Sequence, residues 1–583
     1  MSAPIEDAER SPGTTLSGPR RTLFGVIVAL LAVSPLIVCE GLLRFSDVRI
    51  ADDPFLNFGQ VDSYFVHKDI DGRPHYQVAN REVYRERHTA FPVKKTPQTF
   101  RVFCLGGSAS AGWPHPQEEI YTRYLQRALE AAYPHRTIEV LNVSAHAYAA
   151  YRVRLIFQEV IEFEPDLMVI YSGNNEFLEK RVYGEEPTWW EPVSGALNRL
   201  HLVRRVKGSS LGRRLWPENT LLADERQHVA YEQWSKIEQL ALELRRNPRQ
   251  YQQVKNHYAF SIQSMVETAG DRKVPVILVS IPVNLRQWHP NVSDQALEGP
   301  TRRMWEGLYR SGEGLLLHGD AQGAARRLRE AAGLAPFHAD THFALGRALE
   351  RSGDYEAALQ SYSRARDLDY NPFRAPSDLN QILRQIAARY DHVSLADAER
   401  AFLAASAPLA PGFDLFLDYV HPTRRGNVLV ANTVYDEIVA RGLLGPPSVG
   451  STAVFSLGSQ AIGGSAPYDE QRDYPMQGVL VRLFVMMHQY ESAVEKARFL
   501  QNEPGALETL RRKEDGKLVD AVLNVFPEVI KRERELALGV EADPQLSRQL
   551  EARLKTFYRE NFGGYDEFRT TAAPSPDKTL PAT

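Results

Sequence analysis

Cys104-Leu105-Gly106-Gly107-Ser108-Ala109-Ser110-Ala111-Gly112-Trp113 joins a short apolar run, Arg101 to Leu105, to an amphipathic stretch, Gln117 to Tyr133. The run reads as a buried strand and the stretch as a helix. Between them the backbone must turn sharply through two glycines, which sets Ser108 at a strand exit beside a helix N-terminus. A hydroxyl is exposed there, and both a nucleophile and a developing oxyanion are favoured. Gly-Gly-Ser turns are also common as plain turns, so the role of this serine depends on the rest of the chain.

Working outward, strands and helices alternate. Thr137 to Asn142 and Leu167 to Tyr171 read as strands, with a helix marked by Val153, Phe157 and Val160 between them. A helix from about Gln253 to Thr268 leads into Val274 to Ile281, which reads as another buried strand. Val393 to Ala396 follows as a fifth strand, and Arg425 to Ala440 as a last helix. Such alternation predicts an α/β fold with three layers, a parallel sheet covered on both faces. Residues 44–97, aromatic and charged without a clear period, are expected to be irregular or β-rich and to pack on this domain. The domain itself is expected at 98–303 and 373–443, with inserted loops and helices at 176–250 around Trp189, Trp190 and Trp216.

A second insertion, 304–372, has a period of its own. Ala339 to Gly346, Gly353 to Ala358, then Tyr362 and Ala365, resemble a tetratricopeptide repeat. Gly312, Gly319-Asp320, Ala324, Leu328, Ala331 and Pro336 give a looser copy before it. Small Gly346 and Ala358 let two helices approach, and larger residues fill the groove. A further hairpin is expected at Met476 to Leu500, where Tyr490-Glu491-Ser492-Ala493 echoes the same turn. Residues 444–569 read as helical, and 570–583, rich in Pro, Ser, Thr and Ala, as a disordered tail.

The chain has 583 residues, enough for two to four domains, and its 43% hydrophobic and 24% charged residues are those of a folded protein. A net charge of −4 without a basic cluster argues against a nucleic-acid partner. Two cysteines, Cys39 and Cys104, are too few for a disulfide framework. No H-E-x-x-H or comparable histidine spacing occurs, so neither a metal nor a cofactor is expected. After Arg20-Arg21 the chain runs uncharged from Thr22 to Cys39, and 22–43 is expected to cross a membrane once. The arginines place residues 1–21 in the cytoplasm and the remainder across the membrane. A cleaved signal peptide is the competing reading, but no small-x-small site follows the run.

Ser108 needs a base, an orienter and oxyanion donors. Asp418-Tyr419-Val420-His421 can provide the first two, since an Asp three residues before a His can reach its Nδ1–H and leave Nε2 to take the serine proton. Two loops should converge on the serine from strand ends: Asn142 to Ala147 and Ser172-Gly173-Asn174-Asn175-Glu176. The Ser108 and Ala147 amides and the Asn175 side chain could then form an oxyanion hole. His115 and His146 are weaker candidates for lining the site. Asn284, Arg286 and His289 follow the fourth strand at a ligand-collecting edge, where Arg286 could contact substrate.

These four blocks, in this order, resemble the SGNH hydrolases, also called GDSL esterases. The resemblance rests on Gly107-Ser108 with Gly112, on Asn142 to Ala147, on Gly173-Asn174-Asn175-Glu176 and on Asp418 to His421. It implies a flavodoxin-like three-layer sheet, Ser108 as nucleophile, His421 and Asp418 completing a triad, and an oxyanion hole at Ser108, Ala147 and Asn175. The family has glycine where Ala147 stands, and aspartate where Glu176 stands. An alanine keeps the amide donor provided that a positive φ is not required.

The leading expectation is a membrane-anchored, extracytoplasmic serine esterase acting on an acyl ester, O-acetyl among the options, carried by a glycan or lipid. An acyltransferase on an envelope polysaccharide would share the acyl-enzyme. A silent scaffold, binding a protein partner through its repeats, is the reading from another class.

Overall fold

The computed structural model describes residues 18–44, 63–78, 90–178, 248–293, 297–370, 372–448, 474–486, 489–503, 505–511, 515–537 and 543–562, with positions 200, 202, 203 and 206. Most of the 176–250 insertion and the whole 570–583 tail lie outside the described residues. The chain divides into two units, Met1–Asp62 with Val182–Arg226, and Ser63–Arg181 with Gln227–Thr583. Within the described residues, the first unit is mainly helix α1, Gly18–Arg44. Its Val26–Leu43 segment has a mean hydropathy of 2.5 and none of it is buried, so it is long and apolar enough to cross a membrane.

The second unit is built on a five-stranded sheet in the order β5-β4-β6-β7-β8, every neighbouring pair parallel. The strands are β4 Thr99–Gly106, β5 Thr137–Asn142, β6 Leu167–Tyr171, β7 Val276–Val279 and β8 Val393–Ala396. All of β4, β6 and β7 is buried, as continuous apolar runs in a sheet covered on both faces must be. Two sets of helices do the covering. Helix α3, Tyr121–Ala132, packs on β5 and on α12, Arg424–Ala440, which also meets β7 and β8. Helix α4, Ala150–Val160, packs on β4 and on α5, Pro248–Asp271; α5 in turn meets α10, Ser377–Arg389, which lies on β7 and β8. A one-turn helix α2, Ser108–Ala111, follows β4, and α11, Ala398–Ser406, packs on α12.

Sheet order reverses between β4 and β6, the first and third strands of the domain. Ligands of open α/β sheets bind at such a switch point, outside the carboxyl ends of the strands.

A small antiparallel sheet of β1 Phe65–Ile70, β2 Arg73–Val78 and β3 Ala90–Pro92 precedes β4. Phe65, Tyr76, Phe91 and Phe163 interlock by edge and stacked contacts. Arg101, fully buried, ties this sheet to the main one by donating from Nη2 to Pro92 O and from Nη1 to Phe163 O, both at 2.8 Å, while pairing with Glu139.

Between β7 and β8 the chain forms helices α6 Gly299–Leu317, α7 Ala321–Leu334, α8 Ala339–Arg351 and α9 Tyr355–Leu368, each packed on the next. Asp320 and Asp354 cap the second helix of each hairpin, accepting from Gly323 and Ala357 amides. Helices α13 Tyr474–Met486 and α14 Tyr490–Asn502 form a further hairpin. Its core is a different one, shared with α15 Ala506–Arg511, α16 Asp515–Ala537, α17 Pro544–Phe562 and with Trp288, Phe373, Phe413 and Leu417 of the sheet domain.

Candidate active site

Gly107 ends the buried part of the first loop, and Ser108, half-buried, is the first residue of α2. As first helical residue its N–H has no partner within the helix. A β-carbon on Gly107 would lie 2.3 Å from Asn175 Nδ2 and 3.1 Å from Tyr148 O, so only glycine lets the three loops close together. Beneath them Asn142 Nδ2 donates to Ser110 O at 3.0 Å, and Ser144 Oγ donates to Ser110 Oγ at 2.8 Å, with Tyr121 OH 3.0 Å beyond. The short helix carrying the serine is thereby fixed from below. Cys104 lies in the same floor, its thiol pushed up to about 12 by burial, against the bond to Tyr121.

Ser108 and His421 come together across 313 residues of chain: Ser108 Oγ–H donates to His421 Nε2 at 2.8 Å. His421 Nδ1–H donates to Asp418 Oδ2 at 2.6 Å. The other carboxylate oxygen, Oδ1, accepts from the Val420 and His421 amides, each at 2.9 Å. Burial pushes the Asp418 carboxyl up, but the His421 charge, the ring hydrogen bond and the two amides outweigh it, and the group titrates below the usual carboxylate range. A buried carboxylate held ionised fixes the histidine tautomer and supports the imidazolium formed when the ring takes a proton. The edge of Trp113 meets the His421 ring at 4.7 Å between centroids, and Tyr419 flanks it at 5.9 Å.

The expected oxyanion donors are the Ser108 and Ala147 amides and Asn175 Nδ2. Ala147 lies in the exposed part of the loop after β5, with φ of 59°. The positive φ, the condition under which alanine is disfavoured, is therefore present here, and the alanine adopts it with its amide intact. Asn175 Nδ2 donates to Tyr148 O at 3.0 Å, and a primary amide carries a second N–H beyond that bond. Glu176, fully buried, accepts from the Ala150 amide at 2.8 Å and so closes the N-terminus of α4.

Other candidates are placed differently. His115, a weaker candidate for lining the site, is buried, and its Nε2–H donates to Pro422 O at 2.8 Å. Burial holds its ring near a pKa of about 4, overriding the Pro422 contact. His146 is exposed beside Ala147. Arg286 lies 3.8 Å from Glu350 of α8 and 3.7 Å from Asp414, and its Nη2 donates to Gln287 Oε1 at 3.3 Å. His289 pairs with Glu491 of α14.

Sequence reasoning passed over Asn427 and Lys496. Asn427 Nδ2 donates to Pro422 O at 3.3 Å, and Lys496 Nζ, wholly buried, to Phe416 O at 3.4 Å. Asn427 sits in an ordinary helix start, and Lys496 stands 75 residues beyond His421 on a helix with no special pattern, so nothing local marks either.

No family model matches the chain, and no curated protein matches it. Solved structures similar to it include an acetylxylan esterase from Geobacillus stearothermophilus, at 14% identity over 59% of this chain and 94% of that one, with a TM-score of 0.26. A putative acylhydrolase from Bacteroides fragilis is similar at 11% identity over 60% and 90%, TM-score 0.28. A GDSL-like lipase from Bacteroides thetaiotaomicron is similar at 13% identity over 58% and 88%, TM-score 0.26.

Proposed function

We propose that the chain is a serine hydrolase acting on carboxylic esters, with Ser108 as nucleophile, His421 as general base and acid, and Asp418 as its orienting carboxylate. The observation that carries this reading is the continuous hydrogen-bonded relay from a half-buried Ser108 hydroxyl through His421 to a buried, ionised Asp418. In this mechanism His421 Nε2 takes the Ser108 proton as Oγ attacks the ester carbonyl. The oxyanion is held by the Ser108 and Ala147 amides and Asn175 Nδ2. His421 then gives its proton to the leaving alkoxide, leaving an acyl-serine. Water repeats the sequence, giving its proton to His421, and the acid departs as Ser108 is reprotonated. A sugar hydroxyl in place of that water would make the same site a transferase. The apolar helix α1 would anchor the chain, with Arg20 and Arg21 on the cytoplasmic side, and α6–α9 would be tetratricopeptide-type hairpins.

Fluorophosphonate labelling and hydrolysis of a short-chain aryl ester test the assignment. Wild-type chain should label on Ser108 and turn over ester, and Ser108→Ala should lose labelling and fall by about 10⁴-fold or more in kcat. Labelling that persists in Ser108→Ala removes Ser108 from the mechanism.

A further inference from the structure

The Asp418–His421 loop hangs from residues on either side of the helical insertion. Asn284 follows β7, ahead of α6, and Arg374 follows α9; both are buried to within about one per cent of complete. Asn284 Nδ2 donates to Asp418 O at 2.9 Å, and the Asn284 amide to Tyr419 O at 3.0 Å. Asn284 Oδ1 is occupied by the Gln287 amide at 3.0 Å. Arg374 Nη1 donates to the carbonyls of Asn284 at 2.7 Å and Trp288 at 2.9 Å. The Trp288 ring packs on Tyr419 at 4.9 Å between centroids, and Phe373, next to Arg374, packs on the same tyrosine at 5.6 Å. Asp369, on the same limb as Arg374, accepts from the Asn291 and Val292 amides of the opposite limb at 2.9 and 3.1 Å.

We propose that Arg374 is a positioning residue: by locking the Asn284 main chain it holds the Asn284 side chain on Asp418, and so couples the two limbs of the insertion to the catalytic base. This rests on the hydrolase reading. The chemistry separates positioning from plain stability. A guanidinium out of water gains little net stability over an apolar side chain of its size, because desolvation consumes most of its attraction. Its value lies in direction. Two N–H bonds from one planar nitrogen fix two carbonyls at once, and the Asn284 carboxamide inherits that orientation.

The test is a double-mutant cycle on the full chain, with Arg374→Met, Asn284→Ala and the pair, and with Arg374→Lys as the conservative variant. Thermal melts establish that each variant is folded; kcat, KM and the fluorophosphonate labelling rate are then compared. Arg374→Met and Asn284→Ala should each lower kcat and the labelling rate by about 10- to 100-fold with little change in KM. Arg374→Lys should recover part of the loss. The double variant should be no worse than the poorer single one, because both act along one path. Wild-type rates in folded single variants, or losses that multiply in the pair, overturn the inference alone. Should Arg374→Met not fold, Arg374→Lys and Asn284→Ala carry the same comparison. Absence of wild-type labelling overturns the hydrolase reading and this inference with it.

Discussion

In the proposed mechanism Ala147 offers its amide to the oxyanion, and it does so from a backbone conformation that L-residues avoid. Its φ of 59° places the β-carbon in the crowded left-handed region, a cost of about 1–2 kcal/mol that glycine does not bear. Glycine loses more freedom on folding, which returns part of that difference. Ala147→Gly is therefore expected to raise stability by about 1 kcal/mol while leaving kcat little changed, because the donor is main-chain. Denaturant unfolding with ester turnover checks both halves, and a large loss of kcat would mean that the methyl group shapes the site. Glu176 shows the opposite case. It stands one residue from Asn175, yet its carboxylate is used on the α4 amide, so a side chain beside the site serves the scaffold.

Among the elements, the helical hairpins between β7 and β8 depend on close approach. Gly346 in α8 faces Tyr362 in α9, and a β-carbon there would lie 2.8 Å from the tyrosine ring, itself buried against Phe343. Gly314 in α6 has nothing within 4 Å. Both are helical, so propensity alone predicts that alanine helps each by about 1 kcal/mol. Gly346→Ala should instead lower the melting temperature through overpacking, at about 1–3 kcal/mol, whereas Gly314→Ala should raise it. Equal shifts in the two variants would refute the packing account.

Strands were legible for the same kind of reason. Thr137–Asn142, Leu167–Tyr171 and Val393–Ala396 coincide with the sequence reading, since short apolar runs bounded by turns have few alternatives. The Gln117 to Tyr133 helix begins later, at Tyr121, because Gln117–Glu119 form a 3-10 turn first. At the site, Ser108, His421 and Asp418 could be paired on paper because their spacings carry chemistry. The supports Asn427 and Lys496 could not, because what selects them is a main-chain carbonyl that only the folded loop presents.

Across the whole molecule, acid should act through histidines withdrawn from water, His115 buried and His338 half-buried. Burial holds His115 and His338 at about 4, below the ordinary 6.5. Both are thus neutral in the fold over a range in which the unfolded chain binds protons. The unfolded state gains first as pH falls from 6.5 to 4, so stability declines through that window, by up to about 3 kcal/mol for each histidine at its acid end. His338→Asn keeps an acceptor for the Thr341 amide that His338 caps at 3.3 Å, and should flatten the decline measured by denaturant unfolding at successive pH values. An unchanged slope would remove His338 from the acid response.

The 313 residues that separate the Ser108 hydroxyl from the His421 ring also set the order of events in biosynthesis. A ribosome delivers Ser108 early, with β4, β5 and β6 able to gather around it, but the imidazole arrives only after the whole hairpin stack and the last strand have emerged. Closing so long a loop is slow relative to local folding. On the proposed mechanism, the nascent chain is in effect a zymogen without a propeptide: its serine is an ordinary alcohol until His421 has caught up.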